Sequence, residues 1–115
     1  MEIIFKRPED TQYGPICGVV ATAMVTGKTF TETHDYFRGI RGERWRGDLF
    51  HSEILAGIKN FGGSYTRVDI SKYPKGVSLA NISMMLSLRF PKDVFIAFTR
   101  KHVQVLHNMH IADQN

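Results

Sequence analysis

The segment that most limits the fold of this chain is residues 17–25, CGVVATAMV, in which almost every side chain is small or apolar. The segment follows Gly14-Pro15 and stops at Gly27, a residue suited to the left-handed position after a helix. A helix that is apolar on all sides has to be covered by other parts of the chain. We therefore expect one buried helix with Cys17 in its first turn.

The rest of the chain shows helical periods first and strand-like segments last. Three further helices are predicted from capping and terminating residues: Thr29 or Thr31 to near Gly39, Asp48 to Gly62-Gly63, and Ser78 to Pro91. Four segments have the alternation or the apolar length of strands: residues 64–70, 94–99, 102–106 and 109–112. Helices followed by strands, with one more helix among them, indicate an α+β fold rather than alternating α/β units.

The length and composition of the chain predict one domain. Its 115 residues, 43% of them hydrophobic, are enough to bury a core, so we expect a single domain over residues 1–115. The lone cysteine excludes an internal disulfide, no apolar run approaches the ~20 residues of a membrane helix, and the N-terminal residues become charged too early for a signal peptide. These features favour a cytoplasmic protein that does not bind a membrane.

Common cofactor and metal sites are excluded by their missing motifs. The sequence has no CxxC, no GKS or GKT, no GxGxxG and no sustained heptads, which sets aside zinc fingers, P-loops, dinucleotide-binding folds and zippers. His107 and His110 are the visible pair of metal-ligand type, but residues three apart on one strand face opposite sides. No second cysteine or nearby carboxylate completes a ligand set. We expect no metal and no cofactor.

Residues 38–47, RGIRGERWRG, combine four arginines, three glycines and one tryptophan without a helical or strand period, and we predict a loop. The net charge of +4 favours acidic partners. Arg44, Arg46 and Trp45 are candidate substrate-binding residues, because arginines bind carboxylates and an indole can wall a narrow groove. The alternative is a solvated loop whose Trp45 packs on the body of the domain. A second alternative is a loop that binds the phosphates of a nucleic acid, although we do not expect nucleic acid as the partner.

Cys17 is the candidate nucleophile. A cysteine attacks as its thiolate, which the first turn of a helix favours because unpaired N–H groups and the helix dipole stabilise negative charge. Gly18 follows directly and leaves the sulfur accessible, and Gln12 lies upstream, where its amide can donate to an oxyanion. A lone cysteine in an apolar helix is often only a small core residue, so Cys17 needs a partner base to act as a nucleophile.

His102 opens the penultimate strand and is the candidate base, because the last segment returns beside it. A two-residue turn beginning at His107 sets His102 directly opposite Asp113, where a carboxylate can orient the imidazole. A turn beginning one residue later pairs His107 with His110 and sets Asn115 opposite the candidate base. Either register gives His102 a polar orienter, as the base of a cysteine nucleophile requires. A surface strand residue is the alternative interpretation of His102.

Together these residues resemble the papain-like cysteine peptidases, and within them the bacterial family that removes double-glycine leader peptides. The resemblance rests on residues 12–24, QYGPICGVVATAM, residues 102–105, HVQV, and residues 110–113, HIAD, in that order over nearly the whole chain. It implies a papain-like fold with N-terminal helices packed on a C-terminal antiparallel sheet. It also implies four roles: Cys17 as nucleophile, His102 as base, Asp113 as orienter and Gln12 as oxyanion donor.

The function expected from this resemblance is a cysteine peptidase that cleaves peptide or isopeptide bonds, with glycine before the scissile bond as a further expectation. Its substrate is expected to be an acidic or glycine-containing peptide or protein. Gln12 lies one residue closer to the cysteine than in that family, so Thr11 or the backbone N–H of Cys17 is the alternative oxyanion donor. The rival hypothesis is a non-catalytic basic module on the same fold that binds an acidic protein or nucleic acid.

Overall fold

The computed structural model describes residues 16–68, 76, 78–90, 92–98, 102–107 and 110–112. Within these residues the helices are α1 (Cys17–Thr26), α2 (Phe30–Arg41), α3 (His51–Asn60) and α4 (Leu79–Arg89). The strands are β1 (Val94–Phe98), β2 (Val103–His107) and β3 (His110–Ala112), which form an antiparallel sheet in the order β1-β2-β3. The predicted α+β class is confirmed.

Helix α1 is the central element, as its composition predicts. It packs against α2, α3 and β2, and its side chains from Val19 to Met24 are buried. The helix ends at Gly27, whose φ of 71° is the left-handed conformation that favours glycine. The polar Thr22 is buried without cost because its hydroxyl donates to the Gly18 carbonyl at 2.8 Å.

Helix α2 is longer than the sequence predicts. Its start is correct, because the Thr29 hydroxyl accepts the Glu32 N–H at 3.1 Å. Its end was predicted near Gly39 but lies at Arg41, before Gly42 with a φ of 95°. A long-range contact explains the extra residues: Arg41 Nη1 donates to Glu53 Oε1 of α3 at 2.6 Å and so holds the last turn in place. The predicted loop over residues 38–47 therefore begins only at residue 42.

Helix α3 begins later than predicted, at His51 rather than Asp48. The Phe50 N–H donates to Glu53 Oε1 at 2.8 Å, which satisfies the start of the helix. Asp48 belongs to the preceding loop, where its carbonyl accepts the Trp45 indole N–H at 2.6 Å. The predicted closure is confirmed, since the Gly63 N–H donates to the Ile58 carbonyl at 2.9 Å.

The strand predicted over residues 64–70 is not observed in its described part. Residues 64–68 are exposed and belong to neither helix nor strand, and residues 69 and 70 lie outside the described residues. Alternation alone does not make a strand, because a strand also needs a neighbour to pair with and a face to bury.

The sheet lies between two layers of helices. Val103 and Val105 of β2 share the core cluster with Val19 and Val20 of α1. Successive side chains of a strand point to opposite faces, so the buried Leu106 lies on the other face. Helix α4, whose predicted cap is confirmed by the Asn81 N–H donating to Ser78 Oγ at 3.2 Å, packs on β2 and β3 there.

Within the described residues, no helix is both long enough and apolar enough to cross a membrane.

Candidate functional site

Cys17 is the first residue of α1, in agreement with its predicted place in the first turn, and it is half-buried. The residue before it, Ile16, provides no side-chain cap. The first N–H groups of a helix have no partner within the helix, so this end favours a negatively charged group. The thiol therefore lies at the start of a helix, next to the buried core.

Gly18 has a packing role that the sequence does not predict. It is buried, and a Cβ at this position would lie 2.8 Å from Ile54 Cδ1 and 3.4 Å from Leu49 Cδ1. The separation from Ile54 Cδ1 is shorter than real side chains show, so the glycine allows α3 to approach the first turn of α1. This packing role was not predictable from the sequence, because Ile54 is remote along the chain.

His102 directly precedes β2 and is half-buried. Its neighbour Val103 lies in the same core cluster as Ile16, the neighbour of Cys17, and the cysteine itself packs against this cluster. Because α1 packs on β2, the elements that carry the two candidate catalytic residues are in direct contact. The predicted pairing of a cysteine helix with a histidine strand is the arrangement observed for these elements.

The hairpin register is the second of the two that the sequence allows. His107 pairs with His110, and the pairs Leu106 with Ile111 and Val105 with Ala112 follow. The other register, which sets His102 directly opposite Asp113, is not observed, because it would pair Val105 with a histidine and a glutamine with Ile111. The observed register pairs apolar residues with apolar residues, which stabilises the sheet.

Two of the predicted catalytic residues, Gln12 and Asp113, lie outside the described residues. Asn115, the alternative orienter that the sequence associates with the register beginning at the His107–His110 pair, also lies outside the described residues.

Trp45 anchors its loop instead of facing open solvent. The ring packs against the core, with centroids 4.9 Å from His34 and 6.2 Å from Phe37, and the indole N–H is bonded to Asp48. Burial, together with the charge of Arg38, lowers the pKa of His34 below its usual value, against the opposite effect of Asp35. These contacts support the interpretation of Trp45 as packed on the body.

Arg44 and Arg46 are exposed on either side of this anchor. In the part of the chain that the structure describes, neither makes an ion pair with a carboxylate, whereas Arg41 binds Glu53 and lies 3.8 Å from Asp48. The loop therefore presents two arginines from a fixed backbone, at the end of the molecule where Leu49 contacts Gly18.

His51 is a residue that sequence reasoning missed. It is the exposed first residue of α3, and its ring lies 4.3 Å from the Phe98 ring, centroid to centroid, at an interplanar angle of 36°. Phe98 pairs with Val103, the residue after His102. The sequence did contain one signal: His51, Ile54 and Ile58 have the spacing i, i+3 and i+7, which places the histidine on the same face of the helix as two core residues.

The prediction that His107 and His110 cannot share a site rested on their lying on one strand, and this reason is wrong. The two residues belong to different strands and are directly paired across the hairpin. Among the described residues, no group of three histidine, cysteine, aspartate or glutamate side chains is arranged to hold a metal ion.

In comparisons with known proteins, no family model, no curated protein and no solved structure matches this chain.

Proposed function

We propose that this protein is a cysteine peptidase with a papain-like fold. The observation that supports the proposal most is the contact between α1, whose first residue is Cys17, and β2, the strand that directly follows His102. A helix N-terminus stabilises a thiolate, and a histidine beside it can accept the thiol proton. These are the two groups that thiol-dependent acyl transfer requires.

The proposed reaction has two steps. The Cys17 Sγ atom attacks the carbonyl carbon of the scissile amide while His102 takes the thiol proton and passes it to the leaving amine, which leaves a thioester. Water, deprotonated by His102, then hydrolyses the thioester and restores the thiol. The negative oxygen of each tetrahedral intermediate accepts a hydrogen bond from the Gln12 amide or the backbone N–H of Cys17.

The third member of the proposed triad orients the imidazole. Asp113 is the candidate from the resemblance, and Asn115 is the alternative that the sequence associates with the observed register. Diagonal neighbours on one face of a sheet also lie within reach of each other, so the register leaves Asp113 as a candidate. A carboxylate stabilises the imidazolium that forms during the reaction better than an amide does, which favours Asp113.

Peptides are the proposed substrates, with acidic residues or glycines near the cleaved bond. Arg44 and Arg46 supply the attraction for acidic residues, as exposed arginines on an anchored loop at the Cys17 end of the molecule. The same two arginines favour the rival function, a non-catalytic module that binds an acidic protein. The reactivity of Cys17 distinguishes the two functions.

The test is alkylation of the native protein by iodoacetamide at neutral pH, followed by mass spectrometry. A catalytic Cys17 is expected to react much faster in the folded protein than in guanidinium-unfolded protein, and His102→Ala should remove this advantage. In a peptide-library digest, Cys17→Ser should lose at least 10³-fold in cleavage rate with an unchanged circular dichroism spectrum. A thiol that stays inert until the protein unfolds would contradict the peptidase and leave the binding module.

A further inference from the structure

The first turn of α3 carries an exposed imidazole against an aromatic ring. His51 and Phe98 lie 4.3 Å apart, centroid to centroid, in a tilted arrangement. His51 is exposed and Phe98 is half-buried against the core cluster. The two rings therefore form one aromatic surface, in which Phe98 packs against the core and His51 is accessible to solvent.

This aromatic pair lies where the starts of three elements converge. The first turn of α1 is in contact with α3, because Gly18 lies against Leu49 and Ile54. The end of β1 is joined to the start of β2 through the pair Phe98 and Val103. The His51–Phe98 pair bridges α3 and the sheet at this same end, so it lies beside the elements that carry Cys17 and His102.

His51 lies on the apolar stripe of α3, at its start. With Ile54, Leu55 and Ile58 it has the spacing i, i+3, i+4 and i+7, which is the stripe by which a helix faces its core. Ile54 and Ile58 are buried, whereas the stripe emerges at the surface at His51. An amphipathic ring at the point where a core stripe reaches solvent suits contact with a ligand that is itself partly apolar.

We propose that the His51–Phe98 pair is a specificity wall of the substrate-binding site, against which a flat or aromatic side chain of the peptide packs, at a position other than those of the acidic residues or glycines proposed near the cleaved bond. This inference rests on the proposed peptidase function. His51 has no part in the bond changes, which belong to Cys17 and His102. It acts by positioning the substrate through ring contacts, so a phenylalanine at residue 51 should replace it and an alanine should not.

The first test compares two alkylating probes, iodoacetamide and N-benzyliodoacetamide, which differ by one phenyl ring. In the native protein the benzyl probe should react faster at Cys17 relative to iodoacetamide, and His51→Ala should reduce the ratio of the two rate constants about five-fold. His51→Phe should keep the ratio. Tyr65→Ala is the matched control and should not change the ratio. Tyr65 follows the other end of α3, and its exposed ring contacts Lys59 of that helix.

An unchanged ratio in His51→Ala would overturn the specificity wall. An equal loss of both rate constants would also overturn it, because the thiol itself would then have changed rather than the site for the ring.

The second test does not depend on the reactivity of the thiol. In Cys17→Ala, titration with N-acetylphenylalaninamide should shift the ring protons of His51 in the NMR spectrum more than those of His34, which is covered by Trp45. Absence of a His51 shift at millimolar peptide would contradict the proposal. An inert thiol together with a clear His51 shift would contradict the peptidase but retain an aromatic-binding surface.

Discussion

The contact of Gly18 with Ile54 fixes how closely α3 approaches the residue after the candidate nucleophile. Ile54 is fully buried, so its Cδ1 atom has little space to move away from a new methyl group. We expect Gly18→Ala to lower the free energy of unfolding by about 1–3 kcal/mol, as overpacking of a core does. Urea denaturation followed by circular dichroism measures the change.

Two variants control for this effect. Gly39→Ala lies inside α2 with no atom within 4 Å of the added Cβ, and it should raise stability by about 0.5–1 kcal/mol because alanine is the better helix former. Ile54→Val, which removes the Cδ1 atom, should recover part of the loss when it is combined with Gly18→Ala. If Gly18→Ala were as stable as the parent protein, the first turn of α1 would have room that the structure does not show.

At the scale of the elements, the ion pair of Arg41 with Glu53 joins the end of α2 to the start of α3. Burial raises the pKa of Glu53, but the hydrogen bond from the Phe50 N–H and the hydrogen bond and charge of Arg41 outweigh it, so the pKa lies below its usual value. The folded protein therefore favours the carboxylate. This contribution to stability is complete above the pKa of the unfolded chain, about 4.3, and is lost as the pH falls through the lower folded value.

Glu53→Gln should therefore destabilise the protein in a pH-dependent way. We expect a loss of about 1 kcal/mol at pH 7, because charge-assisted hydrogen bonds become neutral ones, and a smaller difference at about pH 3, where the glutamate of the unfolded parent chain is protonated and part of the advantage of the folded carboxylate is lost. Thermal unfolding at the two pH values measures this. Glu43→Gln, on the exposed part of the next loop, is the matched control and should change stability little at either pH. A loss that stayed the same at pH 3 would assign the effect to shape rather than to charge.

The loop over residues 42–50 is the element with the most direct bearing on substrate choice. Trp45 fixes its backbone, and Arg44 and Arg46 point from it into solvent. Charge reversal of both arginines to glutamate should raise the KM for acidic peptides about ten-fold at low salt and much less at 0.5 M salt, because screening weakens the interaction. Arg67→Glu combined with Lys92→Glu, which reverses the charge of two exposed residues elsewhere in the chain, is the control for net charge. A KM effect that salt does not reduce would contradict the electrostatic role.

At the scale of the whole molecule, the features predicted correctly from the sequence are those set by neighbouring residues. The caps at Thr29 and Ser78 and the helix end at Gly27 depend on residues within one turn. The features predicted wrongly, the end of α2 and the start of α3, depend on a contact between Arg41 and Glu53. The strand predicted over residues 64–70 is absent from its described part, residues 64–68, for the same kind of reason, because pairing needs a partner elsewhere in the chain.

The candidate site divides in the same way. Cys17 was placed correctly at a helix start because the composition of α1 is local information. The packing role of Gly18 and the ring contact of His51 were not predictable, since they depend on Ile54 and Phe98, which are far away in sequence. The hairpin register was predictable only as two alternatives, and the pairing of Leu106 with Ile111 decides between them.

The three-layer arrangement makes one prediction about the whole fold, namely that the starts of α1 and β2 lie at the same end. In His102→Cys, a bifunctional methanethiosulfonate reagent with a short spacer should join this new cysteine to Cys17 within one molecule. Mass spectrometry of the intact protein detects the added bridge as a monomer. The bridge should form because the helix packs on the strand and both neighbours, Ile16 and Val103, share one cluster.

His107→Cys is the matched control, since it places a cysteine at the other end of β2. Five residues of strand separate the two positions by about 16 Å, beyond the span of a short reagent. Joining of Cys17 to residue 107 but not to residue 102 would reverse the direction of β2 relative to α1 and would remove the basis for pairing the thiol with His102. Joining to residue 102 alone would support the proposal that His102 is close enough to Cys17 to act as its general base.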